Sequence, residues 1–334
     1  MEPVGNKYDF SYRGHRTHWK RSGEKLTSSR MAVRVLILPG DNLKSLAGLD
    51  VEIVKGDITD FNSISPLFED VDRVFHLAEI ISIMSGQNEL LYRVNVIGTR
   101  NVVEACLKNN VDRLIHTSSV HALKKPPHGT QIDETCFYKP EYSRGGYDRT
   151  KAQASLEVLK GVKKGLDSVI VCPSGIIGPC DYNVSQMGQL ILNYMNGNMK
   201  AYIGGAYDFV DVRDVAEGLI LACRRGETGE SYILSGEKIT VQELMRTLEE
   251  ITGIKGPWLK VPHWMANAAG KLTPLYYRNR KSKPLFTSYS AEVLVSNCNI
   301  NNFKARKELG YDPRPIKESL RDSVEWFKKN SHVF

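Results

Sequence analysis

From residue 33 onward the chain alternates short apolar runs with helix-like patterns, and that alternation leaves few folds open. Val33–Leu38 is a buried-strand run closed by Pro39-Gly40-Asp41, and Val51–Val54 is a second, ending at Lys55-Gly56-Asp57. Arg73–Leu77 and Arg113–Thr117 follow, with Asn95–Leu107 reading as a helix between them. A helix is expected from Gly146 to about Val162 and then a strand at Ser168–Cys172. Helical spacing returns at Val212–Cys223, Val241–Thr252 and Ile316–Phe327, where Thr240 and Glu243 have the spacing of a capping box. Strands alternating with helices mark βαβ units. Parallel strands need helices on both faces, so the expected class is α/β with a doubly wound parallel sheet.

Composition excludes more than it selects. No apolar run approaches the roughly 20 residues needed to span a bilayer, and the N-terminus lacks the apolar core of a signal peptide. Cys106, Cys136, Cys172, Cys180, Cys223 and Cys298 are scattered without a CxxC pair or a histidine partner, as reduced thiols of a cytoplasmic protein would be. The net charge of +7 is concentrated: residues 1–30 carry seven basic and three acidic side chains, leaving +3 for the other 304. With the body nearly balanced, neither nucleic acid nor membrane is an expected partner; a small molecule is.

Ser119, just past a predicted strand, joins Tyr147 and Lys151 on one predicted helix. Spacing of four places the phenol and the ammonium on one helix face. A phenol with an ordinary pKa near 10 is a poor proton carrier at neutral pH. A neighbouring ammonium favours the phenolate and so tunes it for proton transfer. The serine hydroxyl can hold a substrate oxygen. A lone YxxxK is commonplace on exposed helix faces; its tie to a serine after a buried strand gives it weight.

These residues sit within a longer set of motifs: GDITD (56–60), VFHLA (74–78), NVIGTRNVVEA (95–105), HTSSV (116–120), YDRTK (147–151), PSGIIGP (173–179), DFVDVRDVAEG (208–218) and KARKELGYDPRP (304–315). In this order they resemble the extended short-chain dehydrogenases/reductases of the NAD-dependent epimerase/dehydratase family, nearest to its dihydroflavonol-reductase and 3β-hydroxysteroid-dehydrogenase-like branch. The resemblance implies a Rossmann-type sheet and a smaller C-terminal substrate lobe. A dinucleotide-binding domain would take residues 31–180 and 208–236, and the lobe 181–207 and 237–330. It implies Tyr147 as general acid/base, Lys151 as its tuner and nicotinamide-ribose ligand, and Ser119 as ligand of the reacting oxygen. Asp57 and Ile58 would meet the adenine, and Leu77, Ala78 and Thr117 would line the cofactor. Asn95 would act as structural relay, and Pro173, Ser174, Gly175 and Ile176 would lie beside the nicotinamide amide. The cofactor is NAD(P). The 2′-phosphate position falls on Leu38, and Asp41 can favour NAD only if its loop folds back. A homodimer is the family habit. Glu79 departs from a usual small residue and is expected in the path of the pyrophosphate. His121 is a pocket-lining candidate, and Asp211 with Arg213 is expected to orient the lobe. Trp258, Trp264, Tyr276 and Tyr277 suit an apolar pocket or a packed core.

One part of the pattern is missing. Members open with a strand and a glycine-rich turn such as TGATGxIG, whose glycines admit the pyrophosphate to a helix N-terminus. Residues 6–30 offer no such turn and no apolar strand. They are expected to be disordered, leaving the sheet without its first strand and exposing an edge. The genetic code suggests a cause. The second codon bases for Tyr12–Arg16, His18 and Trp19 are those that begin Thr-Gly-Ala-Thr-Gly, Ile and Gly. A one-base shift admits MILVTGATGHIGNVVVKNLLAG, running into Met31. The segment therefore reads as the fingerprint out of frame, with a genuine alternative N-terminus as the rival reading.

The leading function is an NAD(P)-dependent oxidoreductase acting on a small, mostly hydrophobic carbonyl or alcohol, with the activity of this copy in question. A nucleotide-sugar epimerase shares the same three residues. A non-catalytic Rossmann-like regulator or pseudoenzyme is the rival from another class.

Overall fold

The computed structural model describes residues 8–12, 32–81, 88–143, 145–265 and 288–330, with 8–12 and 288–291 as backbone. Strands β1 (Tyr8–Tyr12), β2 (Ala32–Ile37), β3 (Glu52–Lys55), β4 (Val71–His76), β5 (Arg113–Thr117) and β6 (Ser168–Pro173) form the main sheet with β10 (Ser231–Leu234). Its order is β3-β2-β1-β4-β5-β6-β10, and every pairing is parallel. The order reverses between β1 and β4, and the crevice beyond the strand ends there is where doubly wound sheets bind ligands.

The expected loss of the first strand is overturned. Tyr8–Tyr12 lies at the centre of the sheet, in register with Ala32–Leu36 on one side and reaching His76 on the other. No edge is exposed there: β2 and β4 both pair with β1. The physical reason is that a strand is held by backbone groups that any non-proline residue carries. Two buried neighbours with unmet hydrogen bonds recruit whatever chain can reach. Tyr-Asp-Phe-Ser-Tyr supplies three aromatics of good β propensity, though it lacks the apolar run that would announce a buried strand. The rest of residues 1–31 lies outside the described residues, and with it the expectation of disorder.

Each sheet face carries its own core, because neighbouring residues of a strand point to opposite sides. On β6, fully buried throughout, Ile170 and Cys172 join one cluster while Val169 and Val171 join the other. Helices α1 (Gly98–Lys108) and α2 (Gly146–Lys163) cover the first face through Val102, Val103, Cys106 and Val158. Burying such side chains contributes roughly 1.5–3 kcal/mol each. Beyond α3 (Gln186–Met195), helix α4 (Val212–Arg225) covers the second face through Val215 and Leu219.

A third cluster builds the lobe. It joins α3 to β7 (Gly175–Ile177), β9 (Ala206–Asp211), β11 (Glu237–Thr240), α5 (Val241–Thr252), α6 (Ser288–Val295) and α7 (Ile316–Lys329). β9 lies between β7 and β11, while β8 (Ala201–Ile203) pairs with β12 (Leu259–Val261). The capping box forms as its spacing predicts: Glu243 N donates to Thr240 Oγ1 (3.1 Å) and Thr240 N to Glu243 Oε2 (2.8 Å). Asp211 caps α4, accepting from Arg213 N (2.7 Å) and from both arms of its guanidinium, while Arg213 reaches Asp322 on α7 at 2.6 Å. Burial alone would raise the Asp211 carboxyl, but the hydrogen bonds and charge of Arg213 bring it below its ordinary value. This pair therefore ties α7 to the end of β9 and the start of α4.

Candidate active site

Ser119 follows β5 in extended backbone, its Oγ accepting from His121 N (3.2 Å). Across from it Tyr147 and Lys151 occupy the first turns of α2, both buried. Lys151 Nζ donates to Thr117 O (2.6 Å), which locks the ammonium against the end of β5. Its second contact is Glu79 Oε2 at 3.1 Å, and the same oxygen accepts from Tyr147 Oη, also at 3.1 Å.

Glu79 thus meets Tyr147 and Lys151 together, a placement the sequence did not give it. The cause is Asn95. Buried in a π-helical turn (Tyr92–Ile97), it takes the amide of Ile80 on Oδ1 (2.8 Å) and donates Nδ2 to Ile80 O (3.0 Å). It also donates to Thr150 Oγ1 (3.1 Å), which in turn donates to Tyr147 O (3.0 Å). One amide therefore fixes the loop that carries Glu79 and the helix that carries Tyr147. Inserted π turns of this kind are frequent at functional sites.

Under Lys151 lie two histidines, His76 and His116, with ring centroids 5.3 Å apart. Burial, reinforced by Lys151, lowers His76 to about 3 and His116 well below its ordinary value. Both are neutral at pH 7, so no second cation competes with the lysine.

Glu79, Thr117, Ser119 and Tyr147 open onto a cavity of about 550 Å³. Ser119, Tyr147, Glu79 and His121 form its polar end; Leu190, Met199, Leu244, Met245 and Leu294 are among the apolar walls supplied by the lobe. His121 lines it rather than standing in solvent, the other reading the sequence allowed, with Nε2 2.6 Å from the Tyr207 hydroxyl. Burial pushes that phenol well above its ordinary value. Tyr207 and Phe209 went unnoticed in the sequence, since aromatics on a short strand give no sign of which face they meet. Gly175 makes room for them: an added Cβ would lie 2.7 Å from the Tyr207 ring. Trp258 and Trp264 are neither pocket nor core but exposed, at 83% and 73%; Tyr276 and Tyr277 lie outside the described residues.

Thr117, Pro173, Ser174, Gly175 and Ile176 come together at the cavity with Ser119 and Tyr147. Asp57, Ile58, Leu77 and Ala78 do not line it. Asp57 and Ile58 follow β3 on the other side of the crevice, where Asp57 Oδ1 accepts from Thr59 N and Ile58 O from Asn101 Nδ2. Leu77 and Ala78 are buried behind β4. That division suits an extended dinucleotide, which needs one group of residues at each end. A nicotinamide end fits what is present: Thr117 Oγ1 is buried without a partner at the cavity. An ammonium has three donors, and Lys151 directs two to Thr117 and Glu79, leaving one for a ligand hydroxyl. The pyrophosphate end would fall on residues outside those described.

A doubly wound sheet with a Ser-Tyr-Lys group at the strand ends is the architecture of nicotinamide-dependent short-chain enzymes. The pattern of the NAD dependent epimerase/dehydratase family matches residues 20–235. The chain belongs to that family. It is 35% identical to sterol demethylase protein B of Methylococcus capsulatus over 90% of this chain and 92% of that one. It is 33% identical to a putative dihydroflavonol 4-reductase of Synechocystis, over 90% and 89%. The crystal structure of gox2253 superposes with a TM-score of 0.85 at 32% identity, over 97% and 99%.

Proposed function

We propose that this protein is built as an NAD-dependent oxidoreductase for a bulky, largely apolar alcohol or ketone. Residues 31–180 and 208–236 would hold the dinucleotide, and 181–207 and 237–330 the substrate. The observation that carries the reading is a cavity whose polar end holds Ser119 and Tyr147 and whose walls are largely apolar, aliphatic and aromatic side chains together. When bound, a nicotinamide would supply or accept the hydride. Ser119 would hold the reacting oxygen and Tyr147 would give or take its proton, with Lys151 fixed beside it. A nucleotide-sugar substrate is less well served, because among the described cavity-lining residues Lys200 is the only lysine or arginine and a diphosphate calls for cationic clamps.

NAD is favoured over NADP by the loop after β2. Asp41 Oδ2 accepts from Leu38 N (3.2 Å), so the loop turns back on itself, which supports a carboxylate that would repel a 2′-phosphate.

The missing glycine turn favours a second reading, a chain that has lost cofactor binding and persists as a pseudoenzyme. The coding DNA for residues 1–35 separates the two. A shifted frame spelling the strand and TGATGxIG makes the repaired protein the enzyme; its absence in every frame favours the pseudoenzyme. With the repaired protein, turnover of polycyclic or isoprenoid ketones with NADH tests the activity. Tyr147→Phe should lower kcat/KM about 1000-fold while leaving thermal stability nearly unchanged. Equal turnover in the variant would remove Tyr147 from the reaction.

A further inference from the structure

The carboxylate of Glu79 does more than fill space beside the reactive pair. One of its oxygens lies 3.1 Å from both Tyr147 Oη and Lys151 Nζ. Its loop is held from the next residue by both hydrogen-bonding groups of the Asn95 amide, so the contact rests on a fixed backbone. An ammonium alone beside a phenol favours the phenolate; a carboxylate accepting the phenol proton favours the neutral form. Here both act through nearly the same point, and the positive charge that Tyr147 meets is already paired.

We propose that Glu79 is a positioning residue that keeps Tyr147 protonated at neutral pH, so that the site is poised to give a proton to a substrate oxygen. This rests on the reading of Tyr147 as the acid. In carbonyl reduction the new C–H bond would form with the hydride that a nicotinamide supplies when bound, as the carbonyl π bond breaks. The oxygen takes the Tyr147 proton, the phenol O–H bond is lost, and water returns a proton to the phenolate. A phenol already ionised could not serve that step, whereas a phenol held neutral by Glu79 can.

The surrounding charges leave this assignment to Glu79. From α2 itself come Lys151 and Asp148; from the loop after β5 comes His121, with its ring centroid 6.4 Å from that of Tyr147. Asp148 lies 3.5 Å from His121 Nδ1 and is directed to that ring. Tyr207 on β9 meets the other side of His121. Beneath Lys151, His76 on β4 and His116 on β5 are neutral. The Tyr147 hydroxyl itself donates to the Glu79 carboxylate, at 3.1 Å.

The full chain labelled with ¹³Cζ-tyrosine, titrated by NMR without cofactor, tests the proposal, with Tyr147→Phe identifying the resonance. Glu79→Gln keeps the shape and removes the charge. The expected result is a Tyr147 pKa at least one unit lower in Glu79→Gln than in the unaltered chain, with Glu79→Asp in between. An unchanged or higher value overturns it. A measurement without any substitution at position 79 guards against a variant that fails to fold. In ¹³Cδ-glutamate-labelled protein, the Glu79 signal should shift as Tyr147 ionises, and a flat trace through that range overturns the proposal. Neither readout needs turnover, so failure here is distinct from failure of Tyr147 as catalyst, which would show as unimpaired turnover in Tyr147→Phe.

Discussion

The two halves of the central crevice met the same fold with unequal sequence. On the β5–α2 side the reactive groups are held in place: Ser119 by His121, Tyr147 and Lys151 by Glu79, and the loop and helix by Asn95. On the β1 side a strand occupies its slot, but the chain that follows has no glycine turn. The contrast teaches that a parallel sheet and a phosphate site make different demands. The sheet asks only for backbone groups in register, which almost any residue provides. The phosphate turn asks for backbone close enough to an anion that side chains are excluded. A fold can therefore be complete where a binding site is not. The out-of-frame reading places its Thr at Tyr12, so its MILVT strand falls on Tyr8–Tyr12, the residues that β1 occupies.

The sharpest way to press this contrast is to supply the turn. Replacing residues 12–19 by TGATGHIG should tighten NADH binding by about 1000-fold, roughly 4 kcal/mol, measured by calorimetry. A gain under tenfold would mean that the β1 side already binds phosphate by another route. Next in size is a test of the strand itself. Phe10→Pro removes a ladder donor between two parallel neighbours and should cost about 2–3 kcal/mol in urea unfolding. No change in midpoint would remove β1 from the sheet.

The smallest effect probes the complete side. His76 and His116 have folded pKa values below those of the unfolded chain, so the unfolded state takes up protons first as pH falls. Their contribution to stability is whole above pH 6.5 and is lost progressively below it. Between pH 7.5 and 5.5 the loss should be about 1.4 kcal/mol per histidine. His76→Asn should reduce it, as seen by unfolding at the two pH values; an identical drop in the variant would show that His76 is not the buried neutral base described.

Much of this was legible in residue order. The strand at Arg113–Thr117 and the helix at Val241–Thr252 fall where their patterns put them, because apolar spacing and a capping box act over a few residues. Tyr147 and Lys151 could be paired from spacing alone, since one helix holds both. β1 could not be read, because its place depends on β2 and β4 rather than on its own side chains. Glu79 could be flagged as unusual but not located, as its loop is turned by Asn95, fifteen residues away in sequence.

What the sequence by itself determined was therefore the α/β class, the family and the Ser119-Tyr147-Lys151 set, all carried by local periodicity or by motifs in order. Only the tertiary structure decided that Tyr8–Tyr12 completes the sheet, that Tyr207 and Phe209 wall the cavity, and that one carboxylate oxygen joins Tyr147 to Lys151. Those are contacts between segments distant in the chain, and their geometry is set by packing and by hydrogen bonds that close only when the sheet and its helices are assembled.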